Sequence, residues 1–508
     1  MVSIHTKTAG AVACGHPVTA QAACEALRDG GNAFDAVIAA QFVACVVEPV
    51  LASLGGGGFL LAHALNQEPT IYDFFVQTPR NRSPDACELL PIEVDFGATM
   101  QAFHIGPASI ATPGMVKGLF AIFADLATLP LARLVEPALT AAREGVAVSA
   151  FQADLFSLVA PIYRLSDETK RLYGDTTEGS LHKQPLLADV LEALTREGEG
   201  LFYAGELARS ITELCAQQGG HLKAADLSNY RVYRRTPLAC NYRNAQILTN
   251  PAPSSGGSLI CFALQLLNDV ELTGVKFGSF EHLELLVEVM ELTNEARITI
   301  DSGDTNPLDG ALLEQYRTRI ANRPRAYRGT THISVADGVG NIAAMTLSNG
   351  EGCGHLAPGS GIMLNNMLGE EDINPRGLGR WSTDMRMTSM MAPTLIEVDH
   401  SHSMVLGSGG SNRIRTAILQ VISNILDFSF TSDEAVRNPR IHYERGKLSL
   451  EPGFSNDVIV ELQQRVIGID RWAAPNLFFG GVHLVERHGE KFVAVGDARR
   501  GGAGQVLS

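Results

Sequence analysis

The run Gly329-Thr330-Thr331-His332-Ile333-Ser334-Val335-Ala336-Asp337-Gly338-Val339-Gly340-Asn341 constrains the fold more than any other stretch of the chain. Alternating apolar residues at Ile333 and Val335, then a turn over 337–340, predict a hairpin whose second strand runs over 342–346. Its first strand opens on two hydroxyl residues, directly after a glycine and a basic, Pro-containing segment at 323–328. A Thr-Thr pair on a strand is most often two β-formers on a pleated surface. The alternative is chemical. Cleavage before Thr330 would free its α-amine, which can serve as base for its own hydroxyl. Both readings stand at this point.

The chain has 508 residues, 45% of them hydrophobic and 19% charged, enough for a substantial core. A net charge of -15 argues against general affinity for nucleic acid or an anionic membrane. The eight cysteines form no C-x-x-C pair and sit mostly in apolar runs, which predicts reduced, buried thiols. His5, Lys7 and His16 interrupt the start, so no signal-peptide pattern is present. The most apolar stretch, 33–47, is too short to span a bilayer and contains Asp35 and Gln41. The expectation is a soluble, cytoplasmic protein with no nucleic-acid or membrane partner.

Helices are expected over 20–29, ended by Gly30-Gly31, and over 33–47, ended near Pro49. Four glycines, Gly55 to Gly58, then enter an apolar strand. No Gly-Lys-Ser/Thr follows, so a tight turn packed in a core is favoured over a phosphate cradle. A strand is expected over 71–78, a helix over 115–126, and a mostly helical section over 131–217 with breaks at Gly145, Pro161 and Gly179. The loop over 250–257, Asn-Pro-Ala-Pro-Ser-Ser-Gly-Gly, is expected to be irregular and to lead into a helix over 258–267. A long helix is expected over 280–301, then an exposed connector over 307–328, where cutting would do least damage. After Thr330 the pattern turns to strands and Gly-rich turns, with a helix over 417–426 and strands over 447–450 and 482–485.

Several common active sites are absent: H-E-x-x-H, the phosphate-binding loop, G-x-G-x-x-G after a strand, and G-x-S-x-G. His332 shares a strand face with Thr330, so it either lines a site or packs in a core. Leu406-Gly407-Ser408-Gly409-Gly410-Ser411-Asn412-Arg413 precedes a helix, and free N–H groups in such a turn can hold an oxyanion. Ser348, Asn349 and Glu351 place hydrogen-bonding side chains at the end of the hairpin.

Ordered motifs along nearly the whole chain resemble the gamma-glutamyltransferases (glutathione hydrolases), of the N-terminal nucleophile hydrolase superfamily. They include Gly30-Gly31-Asn32-Ala33, Val47-Glu48-Pro49, Gly55 to Phe59, Phe202-Tyr203-Ala204-Gly205 and Pro253-Ser254-Ser255-Gly256-Gly257. Beyond the junction come Thr330-Thr331-His332, Gly361 to Asn366, Met391-Ala392-Pro393-Thr394 and the turn ending at Arg413. The resemblance implies an α+β fold, a four-layer αββα sandwich, made as one precursor. Self-cleavage before Thr330 would give a large subunit, 1–329, and a small one, 330–508, together one intertwined domain. Thr330 would then attack a γ-glutamyl amide such as glutathione, and water or an amine would resolve the acyl-enzyme. No cofactor or metal is implied. Gly409 and Gly410 fall at the oxyanion position, although counting back from Arg413 selects Gly410 and Ser411. Ser348 joins them in the catalytic group.

The donor-binding positions depart from the family pattern. The arginine that grips the α-carboxylate follows an Asp-Phe pair; here Asp73-Phe74 is followed by Phe75. The paired serines become Ser389-Met390, the glutamine that helps hold the α-amino group becomes Met367, and the acidic position falls at Glu370. The family's Thr and Asn after the hairpin become Ser348 and Asn349. Three readings survive: a γ-glutamyl enzyme with another carboxylate anchor (Arg80, Arg82 or Arg413), an amidohydrolase or acylase for a different acyl group, and an unprocessed non-catalytic homologue. The retained Thr330, turn and junction fit the third worst.

Overall fold

The computed structural model describes residues 9–95, 100–268, 270–301, 329–374 and 376–507. The basic segment at 323–328 and the connector at 307–328 lie outside the described residues.

Thirteen strands matter for the site. They are β1 (Gly10–Cys14), β2 (Gly57–His63), β3 (Thr70–Phe74), β4 (Tyr233–Arg235), β5 (Leu238–Tyr242), β6 (Ala245–Thr249) and β7 (Thr331–Asp337). Then follow β8 (Ile342–Ser348), β9 (Thr394–Asp399), β10 (His402–Gly409), β11 (Gly481–His488), β12 (Lys491–Val495) and β13 (Ala503–Leu507). One antiparallel sheet has the order β13-β1-β7-β8-β2-β3-β4, the other β12-β11-β10-β9-β6-β5. Their inner faces meet, with β7 and β8 against β10 and β11. Helices α1 (Pro17–Arg28) and α2 (Ala33–Val47) cover the first sheet, and α3 (Gly256–Asn268) and α4 (Arg413–Leu426) cover the second. These are the four layers, αββα, and each sheet is apolar on both faces because both are buried. Strands from before and after Thr330 contribute to both sheets and interleave in the first.

Local chemistry explains the elements nearest the site. Asn32 caps α2 in a reciprocal box with Asp35, whose carboxylate also takes the N–H groups of Thr128 and Leu129 at 2.9 Å. All fifteen residues of α2 are buried, which explains its near-continuous apolar sequence. The β7–β8 turn is shaped by Asp337, which accepts from the N–H groups of Val339, Gly340 and Asn341 through Oδ1 and from that of Ala33 through Oδ2. The hairpin pairs Thr331 with Leu347 and Ala336 with Ile342.

The four glycines of 55–58 are packed in a core, with no room for a side chain. A Cβ on Gly56 would stand 2.3 Å from the Ser348 carbonyl oxygen, and one on Gly58 2.5 Å from that of Thr346. β2 therefore lies directly beside the strand that ends at the site.

Some expectations need adjustment. The strand expected over 71–78 stops at Phe74, where the chain leaves the sheet to form a wall of the site. The helical section over 131–217 holds a two-stranded ribbon, Val146–Ala147 with Leu181–His182, because Gly145 and Gly179 both have positive φ. Helix α3 begins at Gly256, so the loop over 250–257 is not wholly irregular; α4 begins at Arg413, earlier than 417. The hairpin Leu90–Asp95 with Met100–Ile105 had no strong sequence signal.

Candidate active site

Thr330 immediately precedes β7, between the two sheets, and is 3% exposed. Its hydroxyl donates to the Gly329 carbonyl oxygen at 2.7 Å, and the Ser348 hydroxyl donates to the same oxygen at 2.8 Å. Ser348 is placed there by the last pair of β8 with β2, and its oxygen accepts the Gly350 N–H at 3.1 Å. On the other side, the Gly329 N–H donates to Glu351 Oε1 at 2.7 Å. Gly329 is thus held at three points, its carbonyl oxygen by the Thr330 and Ser348 hydroxyls and its N–H by Glu351.

Behind Thr330 stands Arg500, a residue that sequence reasoning did not select. Its guanidinium donates to the Thr330 carbonyl oxygen and to that of Leu477, each at 3.1 Å. Burial, with Arg413 nearby, pulls Arg500 down to about 9, so it remains a cation at neutral pH. The Gly-rich turn closes on the same point. A Cβ on Gly409 would lie 2.0 Å from the Thr330 carbonyl oxygen, so the close approach of β10 requires glycine there. Gly410 follows with φ +118° and Ser411 with φ +51°. Among the described residues, no protein acceptor takes the N–H of Gly410 or Ser411.

A cleft opens onto Thr330 and Ser348. Phe75, Met367, Glu370, Ser389 and Met390, all selected from the sequence, line it together with Ser411. Ile373, Met391 and Ile414 complete its apolar wall; Met391 opens the Met-Ala-Pro-Thr motif, whereas no local sequence signal marks Ile373 or Ile414. Asn349 is fully buried beside the cleft, and neither side-chain atom has a protein partner among the described residues.

Two buried knots position these walls. Asn365 donates to the Gly55 and Ala111 carbonyls at 2.8 and 2.9 Å and accepts from the Met367 N–H at 3.2 Å. The Ser389 carbonyl accepts from Ser254 Oγ at 2.7 Å and from the N–H groups of Ser255 and Gly256 at 3.0 Å. The Pro-Ser-Ser-Gly-Gly motif is therefore a bracket for the Ser389–Met390 wall.

Phe75 is 1% exposed and stacks on Phe59 with ring centroids 5.5 Å apart. None of the three suggested replacement arginines lines the cleft. Arg80 pairs with Asp384 at 3.5 Å. Arg82 lies 4.6 Å over the Trp381 ring and donates to the Gly379 carbonyl. Arg413 donates to the Phe478 carbonyl at 2.9 Å. Arg386, nearer in space, is held by Asp73 at 3.4 Å and by the Phe75 carbonyl, with its guanidinium over Tyr230. Among the described residues that line the cleft, Glu370 carries the one carboxyl group.

His332 packs in the core and does not line the site. It is fully buried, it bonds Thr346 Oγ1 at 2.7 Å and Ser334 Oγ at 2.9 Å, and burial holds it well below its ordinary pKa. Thr331 points to the opposite face and donates to Glu48 at 2.7 Å; Thr19 donates to the same carboxyl at 2.9 Å. Burial pushes Glu48 up to about 7 against those two hydrogen bonds. Among the described residues, no group of three or more His, Cys, Asp or Glu is placed to hold a metal ion, and no helix is long and apolar enough to cross a membrane.

Comparison with known proteins agrees with this arrangement. The sequence profile described as gamma-glutamyltranspeptidase matches residues 19–507. The glutathione hydrolase proenzyme of Escherichia coli (strain K12) is 29% identical, over 90% of this chain and 85% of that one. The acylase ACY 1 proenzyme of Pseudomonas sp. (strain V22) is 28% identical, over 91% and 87%. In three dimensions the cephalosporin acylase from Bacillus halodurans superposes with a TM-score of 0.85 at 22% identity, over 99% of this chain and 96% of that one. That structure shares the fold. With a profile match over almost its full length, the chain belongs to the gamma-glutamyltranspeptidase family.

Proposed function

We propose that the chain is an N-terminal threonine amidohydrolase that matures by cutting itself before Thr330 and then transfers an acyl group through that residue. The observation that carries this reading is the Thr330 hydroxyl at 2.7 Å from the Gly329 carbonyl oxygen, at a cleft already lined by the donor-binding positions.

Maturation follows from the contacts. Thr330 Oγ attacks the Gly329 carbonyl carbon, and the oxygen gains negative charge against the Ser348 hydroxyl. The C–N bond breaks, its nitrogen takes the proton, and Gly329 is left as an ester on Thr330. Water hydrolyses the ester, freeing the hydroxyl and an α-amine. The two products, 1–329 and 330–508, stay together because both contribute strands to each sheet.

In turnover the α-amine takes the hydroxyl proton as Oγ attacks the donor amide. Its reference pKa, about 7.7–8.0, suits a base at neutral pH. For the oxyanion, free N–H groups support Gly410 and Ser411 over the pair Gly409 and Gly410. The amine leaves with a proton, and water or an acceptor amine releases the acyl group.

The first reading of the donor is a γ-glutamyl amide such as glutathione, consistent with the curated glutathione hydrolase relatives. Glu370 would take the α-ammonium, with the Ser389 hydroxyl beside it. A second reading, a non-glutamyl acyl amide, is favoured by one observation. Phe75, Met367 and Met390 line the cleft where a carboxylate would need a cation, and no described arginine or lysine lines it. Hydrolysis of a γ-glutamyl anilide, compared with simple acyl anilides, separates the two. Thr330→Ala should stay one chain and cleave neither; an intact wild-type chain with full activity would overturn the mechanism.

A further inference from the structure

Cys240 and Cys261 stand apart from the other cysteines. Cys240 is on β5, the end strand of the six-stranded sheet, and Cys261 is on α3, which packs over that sheet. Their sulfurs lie 2.7 Å apart although the residues are 21 positions apart in sequence. A disulfide bond is about 2.05 Å long, so closure asks for a shift of only about 0.7 Å. All eight cysteines are free thiols here, and among the described residues no other two cysteine sulfurs make a hydrogen-bonding contact. Two sulfurs facing each other from separately anchored elements are pre-organised for one reaction, with little of the loop-closure cost left to overcome.

We propose that Cys240 and Cys261 form a reversible dithiol–disulfide pair, oxidised by small hydroperoxides, that staples helix α3 to the edge of the second sheet. The two partners have distinct roles. Cys240 is 8% exposed and lies on a sheet edge, so a molecule the size of hydrogen peroxide reaches it. Cys261 is fully buried. Peroxide therefore meets Cys240 first, and Cys261, with its sulfur 2.7 Å away, is placed to be the resolving thiol. The steps balance. Cys240 sulfur attacks the peroxide, forming a sulfenic acid and releasing one water. Cys261 sulfur attacks the sulfenic sulfur, forming the S–S bond and releasing the second water. Two thiols are oxidised by two electrons and one peroxide is reduced.

The staple has a structural reach. The first turn of α3 and the loop before it hold the Ser389 carbonyl through Ser254, Ser255 and Gly256. A Cβ on Gly256 would stand 2.2 Å from the Met390 carbonyl oxygen, so this end of the helix abuts the cleft wall directly. Tying the middle of α3 to β5 restrains the bracket that positions Ser389 and Met390.

Purified protein, titrated with hydrogen peroxide and read by the mass of the fragment that carries both cysteines, tests the pair. The expected product is 2 Da lighter, has lost two titratable thiols, melts at a higher temperature and reverts with dithiothreitol. A peptide map without reductant should join the segments carrying Cys240 and Cys261. Cys261→Ser should stop at a sulfenic acid, 16 Da heavier and trapped by dimedone. With Cys87, the exposed thiol, replaced by serine in every protein compared, Cys240→Ser should give neither product, while its thermal midpoint under reducing conditions shows that it folds. A wild-type protein that reaches cysteine over-oxidation without the 2-Da species would overturn the proposal. So would a crosslink that maps elsewhere or survives in Cys240→Ser.

Discussion

Replacing Ser348 with alanine isolates the chemistry of maturation. In the uncut chain the Gly329 carbonyl oxygen receives two hydroxyl donors, Thr330 at 2.7 Å and Ser348 at 2.8 Å. The Thr330 hydroxyl cannot keep its role, because its oxygen becomes the nucleophile. Ser348 is then the remaining side-chain donor on that oxygen among the described residues. Both groups are buried, where a fixed donor is worth more than in water. Removing one such donor costs about 100- to 1,000-fold in rate. Ser348→Ala should therefore slow self-cleavage by about that factor, and Ser348→Thr, which keeps the hydroxyl, should restore most of it. The assay follows conversion of the full chain into two fragments on denaturing gels, with the new N-terminal threonine identified by mass. The variant also leaves the Gly350 N–H without its acceptor, at about 1–3 kcal/mol. Thermal midpoints of the uncut Ser348→Ala and Thr330→Ala chains, compared directly, separate lost stability from lost catalysis. A stable Ser348→Ala chain that cuts at the wild-type rate would refute the assignment.

Three further outcomes are expected. Glu351→Ala removes the acceptor of the Gly329 N–H and should slow self-cleavage by about 10-fold, whereas Glu351→Gln, which keeps an acceptor oxygen, should cut nearly normally; equal rates in all three would exclude the contact. Glu48 titrates near 7 when folded and near 4.5 when unfolded, so the folded chain holds a proton that the unfolded chain releases, and its contribution to stability is lost as pH rises through that window. His16, lowered to about 4 by burial, slopes the opposite way between about 4 and 6.5, so the measurement is the difference between wild type and Glu48→Gln in chemical denaturation, which should rise from pH 4.5 to 7 and be flat above; a difference that does not vary with pH refutes it. Phe75→Arg supplies a cation to the cleft and should raise the ratio of γ-glutamyl to simple acyl anilide hydrolysis by about 10- to 100-fold, less whatever the lost Phe59 stacking costs; an unchanged ratio in a folded variant would show that the carboxylate is bound elsewhere.

Much of the site was legible because its chemistry is local. The hairpin from Thr331 is written in alternation and in the turn at Asp337. Thr330, Ser348 and the glycine turn lie in short stretches that can be read directly from the sequence. Phe75, Met367, Glu370, Ser389 and Met390 were identifiable by register with those motifs, and the structure gathers all five around one cleft. Arg500 and Glu48 were not legible as neighbours of the nucleophile. One reaches the Thr330 carbonyl from 170 positions away, and the other reaches Thr331 from 283. His332 carried the right strand parity, yet the opposing sheet closes over it through Gly407, where a Cβ would stand 2.3 Å from the imidazole ring.

Sequence alone determined local elements such as the hairpin after Thr330 and the helix over 33–47, because periodicity, capping and turn chemistry act over a few residues, while the layered α+β architecture, the cleavage junction and Thr330 as nucleophile were read from the resemblance to the family. Only the tertiary structure decided which groups share the cleft and which arginines are already engaged elsewhere. It also brought two thiols, 21 positions apart, face to face. Those outcomes depend on which strands neighbour one another in two sheets, and burial then sets the charge each group can keep.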